Sequence, residues 1–324
     1  MYEHIAIALD GSPAALTAAA FARHLDAAAY QVIHIVESGI GGAPGGTAPG
    51  ATARQREQMD RLEAQMRADV VNAMGSPDSG LPLSVEIRYG DPVEELLAAS
   101  VATDLLLLTT RGRGIASRTL FGSVADEVSR RASRPTLILR PDHDLRRPER
   151  VLVLLDGHAR AERAIPTARR LARTIGCSLV LVHVVDEEQL DASPFGPEPG
   201  DVAGTDAISL SIDRAGAYLS RREQELEAPD FDVQHRVVIG ETVPALIEFA
   251  DPADVVVIGS RARAGLRRIV APGVAERMVR FAPSPVLIVH DGTDLPTDRA
   301  SAAPALSSGV PGPGTDPGTR PERN

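Results

Sequence analysis

The chain contains no lysine, no tryptophan and a single cysteine, Cys177. Each absence removes a class of function. A GxxxxGK[ST] phosphate loop needs its Lys on the β- and γ-phosphates, so a P-loop nucleotidase is excluded. All 34 basic residues are arginines. One cysteine can build neither an intrachain disulfide nor a cysteine zinc cluster. Aromatic residues make up only 3% of the chain. Ala, Val, Leu and Ile must therefore fill the interior, which suits parallel sheets covered on both faces. No apolar run approaches the roughly 18 residues of a membrane span. The N-terminus, Met1 to Asp10, runs straight into a strand pattern without a basic region and apolar stretch. A soluble, cytoplasmic protein without a membrane partner is expected. Positive charge is also in deficit. A formal net charge of -10 weighs against broad nucleic-acid binding, which needs a positive surface to neutralise phosphates.

What is present is a repeat. Ile5-Ala6-Ile7-Ala8-Leu9-Asp10-Gly11 matches Val151-Leu152-Val153-Leu154-Leu155-Asp156-Gly157. His34-Ile35-Val36-Glu37 matches His183-Val184-Val185-Asp186, and Tyr89-Gly90-Asp91 matches Ile239-Gly240-Glu241. Asp104 and its apolar run match Asp254-Val255-Val256-Val257-Ile258; Ser133-Arg134-Pro135-Thr136-Leu137-Ile138 matches Pro283-Ser284-Pro285-Val286-Leu287-Ile288. The landmarks keep their order at a nearly constant offset of about 150 residues, too long for a solenoid repeat and right for a duplicated domain. The spacing divides the chain into domain 1 at 1–140, a short polar linker at 141–149, domain 2 at 150–291 and a tail at 292–324. The tail is rich in Pro, Gly, Ser, Thr and Asp and is expected to stay disordered, because it cannot bury enough apolar surface to order itself.

Within the first half, short Val-, Ile- and Leu-rich runs at 3–9, 30–36, 82–89, 104–109 and 135–140 read as strands. Helix-like runs at 13–27, 53–75, 91–102 and 122–132 lie between them. Ser12-Pro13 and Asp91-Pro92 are helix starts with an N-cap and a Pro at the first helical position. Alternation of this kind predicts an α/β fold: two tandem, doubly wound, parallel five-stranded sheets of order 3-2-1-4-5, flanked by helices. The runs 135–140 and 285–290 are matching apolar edge strands, and exposed edges invite pairing. They predict an intramolecular pseudo-dimer, with further homodimerisation left open. The stretches 39–50 and 192–204 follow the second strand of each half and read as flexible excursions.

In a doubly wound sheet, ligands bind at the carboxyl ends of the strands where the order reverses. Asp10 closes the first strand, and a loop containing Thr109, Arg111, Gly112, Arg113 and then Gly122, Ser123 and Val124 follows the fourth. Glycines let a backbone approach a phosphate closely, and Gly122-Ser123 at a helix start offers N–H groups, a hydroxyl and the positive end of the dipole. Arg111, Arg113 and Arg118 add positive charge, so an anionic ligand suits this loop.

These residues make the sequence resemble the universal stress protein family, of the nucleotide-binding type, as a tandem pair. The family signature G-x2-G-x9-G-[ST] is met by Gly112 and Gly122-Ser123; Thr109 replaces its first Gly. The resemblance implies that Asp10 lies near the adenine and ribose. It further implies that Ile35 recognises the base through its main chain and that Val124 follows the Gly-Ser pair as the family's Val does. The implied ligand is an adenine nucleotide, ATP foremost, with Mg beside it, and the implied role is a stress or regulatory one. In the second half Gly259 keeps the first Gly, but Ala262 replaces the second and Pro272-Gly273 replaces Gly-Ser. A Pro has no N–H to donate, so the ligand is expected mainly in the first half.

Duller readings stand beside these. Asp10 can simply close a β–α turn, and the glycine loop can be a tight connection. The arginines can be solvated surface charges. His34 and His183, at matching points on buried strands, read as satisfied core histidines, and Cys177 as inert. No Ser-His-Asp spacing, HExxH or paired carboxylates occur, so no catalytic or metal residue is assigned and at most slow ATP hydrolysis is expected. Two rivals remain. One is an interaction module of the same fold that binds no nucleotide. The other is an ATP-dependent enzyme of the wider nucleotide-binding α/β group, disfavoured because Asp10-Gly11-Ser12 is all that stands where an SGGxDS loop would be.

Overall fold

The computed structural model describes residues 1–37, 53–75, 80, 82–110, 122–198, 205–260 and 273–290, without the side chains of 55 and 205. Arg111, Gly112, Arg113 and Arg118, the excursion at 39–50, residues 199–204 of the second excursion, and the tail lie outside the described residues. The first half runs β1 (Tyr2–Leu9), a 3-10 turn (Pro13–Ala15), α1 (Leu16–Ala22), β2 (Ala27–Val36), α2 (Ala53–Ala73), β3 (Leu83–Tyr89), α3 (Pro92–Ser100), β4 (Leu105–Thr109), α4 (Ser123–Arg131) and β5 (Thr136–Leu139). The second half runs β6 (Arg150–Leu154), α5 (Ala159–Glu162), α6 (Ala164–Ile175), β7 (Ser178–Val185), a 3-10 segment (Glu187–Ala192) and α7 (Thr205–Leu226). It continues with β8 (Val233–Ile239), α8 (Thr242–Phe249), β9 (Asp254–Ser260), α9 (Val274–Phe281) and β10 (Val286–His290).

The strands form one ten-stranded sheet of order β3-β2-β1-β4-β5-β10-β9-β6-β7-β8. Each half thus has the order 3-2-1-4-5 with parallel pairing throughout. The halves meet edge to edge: β10 runs antiparallel to β5, with Leu287 opposite Leu137 and Val286 opposite Ile138. Neither fifth strand is left as an open edge, which removes an exposed template for pairing with another chain.

Side-chain alternation sorts the core into two layers. Ile5, Ile7, Leu105, Leu107, Leu137, Val153, Val257 and Leu287 point to one face, where Phe21, Val70, Leu171 and Leu219 of α1, α2, α6 and α7 cover them. Ala6, Leu106, Leu108, Ile138, Leu152, Val256 and Ile288 point to the other, under Leu96, Val128, Leu246 and Met278 of α3, α4, α8 and α9. Both layers run across the β5–β10 junction, so the halves share their core.

One boundary departs from the sequence expectation. The helix expected to reach residue 27 ends at Ala22, and the strand expected from 30 begins at Ala27. Ala27-Ala28-Ala29 has high helix propensity, but Ala27 and Ala29 lie in register with Tyr2 and His4 of β1. Ladder hydrogen bonds and burial outweigh a propensity of a few tenths of a kcal/mol per residue.

Halves are also pinned by polar contacts. Asp104 accepts from Glu3 N–H at 2.7 Å and from Arg170 of α6 at 2.9 Å, and the Arg170 guanidinium lies 4.3 Å from the Tyr2 ring centre. The repeat-related Asp254 is satisfied inside its own half, by both arms of the Arg150 guanidinium at 2.8 and 2.7 Å and by Asp251 N–H at 2.7 Å.

Candidate functional site

The order of strands reverses between β1 and β4, so the first crevice lies outside the carboxyl ends of these strands. Asp10 leaves β1 exposed to solvent. Its Oδ1 accepts from the Ser12 N–H at 2.9 Å and from the Ser12 hydroxyl at 2.6 Å. Gly11 between them has φ 77°, a left-handed conformation that a Cβ disfavours. Ser12 Oγ in turn accepts from Ala15 N–H at 3.3 Å, and Pro13 follows as the first helical residue. The cap of the turn is therefore Ser12. Asp10 orients that cap and holds its carboxylate at the crevice mouth.

Two further expected residues stand at strand ends beside it. Ile35 lies one residue from the end of β2, and its side chain packs into the layer under α3 and α4. Its neighbour His34 sits in register with Leu9, and His34 Nδ1–H donates to the Leu9 carbonyl at 2.9 Å. The bond leaves this ring as a brace between β1 and β2. Thr109 ends β4. Its hydroxyl donates to the Ala15 carbonyl at 3.4 Å, tying the strand to the turn that Asp10 begins.

The helix that follows β4 is α4, which begins at Ser123. Gly122 is its N-cap with φ -60° and ψ 131°, and no side chain caps the helix. Asp126 N–H is the first to bond back, to the Gly122 carbonyl at 2.9 Å. The N–H groups of Ser123, Val124 and Ala125 precede it and carry the positive end of the dipole. The Val124 side chain packs into the core and fixes the first turn. Asp126 lies in that turn; burial holds its carboxyl above the usual range, against the pull of Arg130 at 2.8 Å. Among the described residues, no group of three or more His, Cys, Asp or Glu could hold a metal ion.

The second crevice keeps the backbone and changes the chemistry. Gly157 has φ 78°, and Asp156 Oδ1 accepts from His158 N–H at 3.0 Å. The His158 ring lies 3.4 Å from Asp156, and Arg160 also lies 3.4 Å away. His183 Nδ1–H donates to the Leu155 carbonyl at 2.7 Å, and burial lowers the pKa of this ring. α9 starts at Val274 with Gly273 as N-cap, so the first-turn hydroxyl of Ser123 has no counterpart. One buried side chain of this crevice was not foreseen: Phe195, from the excursion after β7, packs against His183 with ring centres 4.8 Å apart. Its only sequence signal is a lone aromatic in a polar stretch rich in Pro and Gly.

Comparison with known proteins agrees with this geometry. The sequence model of the universal stress protein family matches residues 1–140 and again 148–290. A universal stress protein of Mycolicibacterium smegmatis is 28% identical over 283 residues, 86% of this chain and 93% of that protein. One from Mycobacterium bovis is 27% identical over 318 residues, 92% of this chain and 97% of the relative. Among solved structures, a universal stress protein from Archaeoglobus fulgidus superposes with a TM-score of 0.64 at 18% identity, covering 89% of this chain and 98% of that one. The last likeness is one of fold. Among the described residues no helix is long and apolar enough to cross a membrane.

Proposed function

Because the chain belongs to the universal stress protein family, we propose that its first half binds an adenine nucleotide, ATP foremost, and that the protein acts as a nucleotide-responsive regulator. The observation that carries this reading is the pairing, at one switch point, of an exposed carboxylate and an uncapped helix start. Asp10 can accept from ribose hydroxyls or a base amino group, and the α4 start at Gly122-Ser123 can take phosphate oxygens. The two ends of a nucleotide need these two chemistries. Mg would accompany the phosphates, and the arginines of the intervening loop would add charge. The role proposed is binding, with at most slow hydrolysis of the bound nucleotide.

The test is acid extraction of freshly purified protein followed by chromatography of the supernatant. The reading expects adenine nucleotide at a substantial fraction of one equivalent, or uptake on incubation with ATP. Protein that carries none and takes up none is an interaction module of the same fold. One observation favours that alternative: the Thr109 hydroxyl and Asp10 Oδ1 already have partners within the protein.

A further inference from the structure

Phe195 lies outside the carboxyl ends of β6 and β7, where a doubly wound sheet receives its ligands. Its ring covers Gly157: a Cβ placed there would come within 2.6 Å of the Phe195 Cζ and 3.4 Å of the Pro194 Cβ. It meets the His183 ring edge-on at 4.8 Å and the Tyr218 ring of α7 at 5.1 Å. Gly157 follows Asp156, the repeat partner of Asp10, and His183 is the repeat partner of His34. The ring therefore fills the place in the second half that corresponds, in the first, to the crevice over Gly11. There a Cβ would meet only His34 Cε1, at 3.8 Å, among the described residues.

The segment that delivers the ring is built for the purpose. Asp186 caps the 3-10 segment by accepting from Glu188 N–H at 3.1 Å. Ser193 Oγ accepts from Phe195 N–H at 3.2 Å, and Arg214 of α7 donates to the Gly196 carbonyl at 2.6 Å. A Cβ on Gly196 would run into the Leu190 carbonyl, so the turn behind the ring is closed tightly. Yet the 3-10 segment buries no residue, and Phe195 is the only buried large side chain between Glu187 and Glu198. Leu190 packs, partly buried, against the same core layer as Phe195; a segment held by two apolar side chains and a few hydrogen bonds belongs to the low-stability end of a fold and opens locally.

We propose that the second crevice is a site for a flat, uncharged aromatic ring and that the protein occupies it with its own Phe195. Phe195 thus sets the number of ligands per chain, and a competing ring would enter only as the Glu187–Glu198 segment lifts. The choice of adenosine as the probe rests on the nucleotide reading of the first half; the occupation by Phe195 does not. Adenosine carries no phosphate and so makes no demand on the altered β9–α9 loop.

The experiment is calorimetric titration of the full chain with adenosine, as wild type, Phe195→Ala and Phe195→Leu, each repeated with Asp10→Ala. The Phe195→Ala chain should bind one equivalent more than wild type. The added site should persist with Asp10→Ala, which places it outside the first crevice. Phe195→Leu, which keeps most of the volume, should show the added site at least tenfold weaker. If wild type binds nothing while Phe195→Ala binds one equivalent, the first-half reading fails and this one stands. A folded Phe195→Ala chain with unchanged stoichiometry up to millimolar adenosine overturns it. Failure of both variants to fold overturns it as well, since the ring is then core and not a stopper.

Discussion

At the end of β1, Asp10 holds a serine; at the end of β6, Asp156 holds the main chain of a histidine and faces an arginine. His158 stands where the repeat puts Ser12, and Arg160 where it puts Ala14. The turn itself is unchanged, with φ 77° at Gly11 and 78° at Gly157. The strand-to-helix reversal thus requires the Asp and the Gly, while the residues that follow are free to change the local charge. The second carboxylate lies 3.4 Å from the Arg160 guanidinium of the helix that follows its turn, a position where the first half has Ala14. The β4 and β9 ends differ in a complementary way. Thr109 offers a hydroxyl to the Ala15 carbonyl at 3.4 Å. Its counterpart Gly259 is crowded: a Cβ there would lie 3.1 Å from the Ala161 Cα and 3.1 Å from the Arg160 carbonyl oxygen. The α5 backbone approaches Gly259 closely, which the missing side chain permits. Thr109 is therefore an accommodated departure from the family's first Gly.

The largest effects are expected where the halves are alike. Leu137 and Leu287 face each other across the junction and are both fully buried. Replacing either by Ala should cost about 2–5 kcal/mol, and the two costs should agree within about 1 kcal/mol because each residue lines the other's cavity. Urea unfolding of the two variants checks this; a several-fold difference would mean that one half is stable without the other. Next come the two turns. Gly11→Ala should cost about 1 kcal/mol for its left-handed backbone. Gly157→Ala adds the clash with Phe195, for a total of about 2–4 kcal/mol. Equal losses in thermal melts would show that the ring does not rest on Gly157.

The linker, which has no repeat partner, should add a pH dependence of its own. Burial, reinforced by Arg140, pushes the His143 pKa down to about 4. The folded state refuses a proton that the unfolded chain takes up near pH 6.5, so the stabilising contribution is complete above that pH. It declines as the pH falls, and it is gone below about 4. The full loss is on the order of 3 kcal/mol. His143→Gln should flatten the fall of stability between pH 6.5 and 4; a slope identical to that of the wild type would remove His143 from the account.

Much of this was legible in the sequence because the repeat shows each landmark twice. Short runs rich in Val, Ile and Leu, bounded by turn residues, define the strands, and their alternation with helices yields the order 3-2-1-4-5. The matching edge runs after Pro135 and Pro285 are the strands that pair. Ala27-Ala28-Ala29 misled, because alanine favours helix until a parallel neighbour claims it. The Arg170–Asp104 pin was invisible, since it joins residues from different halves whose repeat partners are differently paired. Phe195 escaped because an excursion has no period to mark which side chain turns inward. At the first crevice the residues at strand ends and at the α4 start could be named from pattern alone. That Ser12 caps the turn while Asp10 orients it is a matter of hydrogen-bond geometry, which spacing does not contain.

The contrast between the crevices is tested most directly by titrating ATP into wild type, Asp10→Ala and Asp156→Ala under identical conditions. Asp10→Ala should weaken binding about tenfold or more, which is 1.4 kcal/mol, and Asp156→Ala should stay within about twofold, a few tenths of a kcal/mol. Loss of binding in Asp156→Ala with Asp10→Ala unaffected would contradict the account by placing the ligand in the other half.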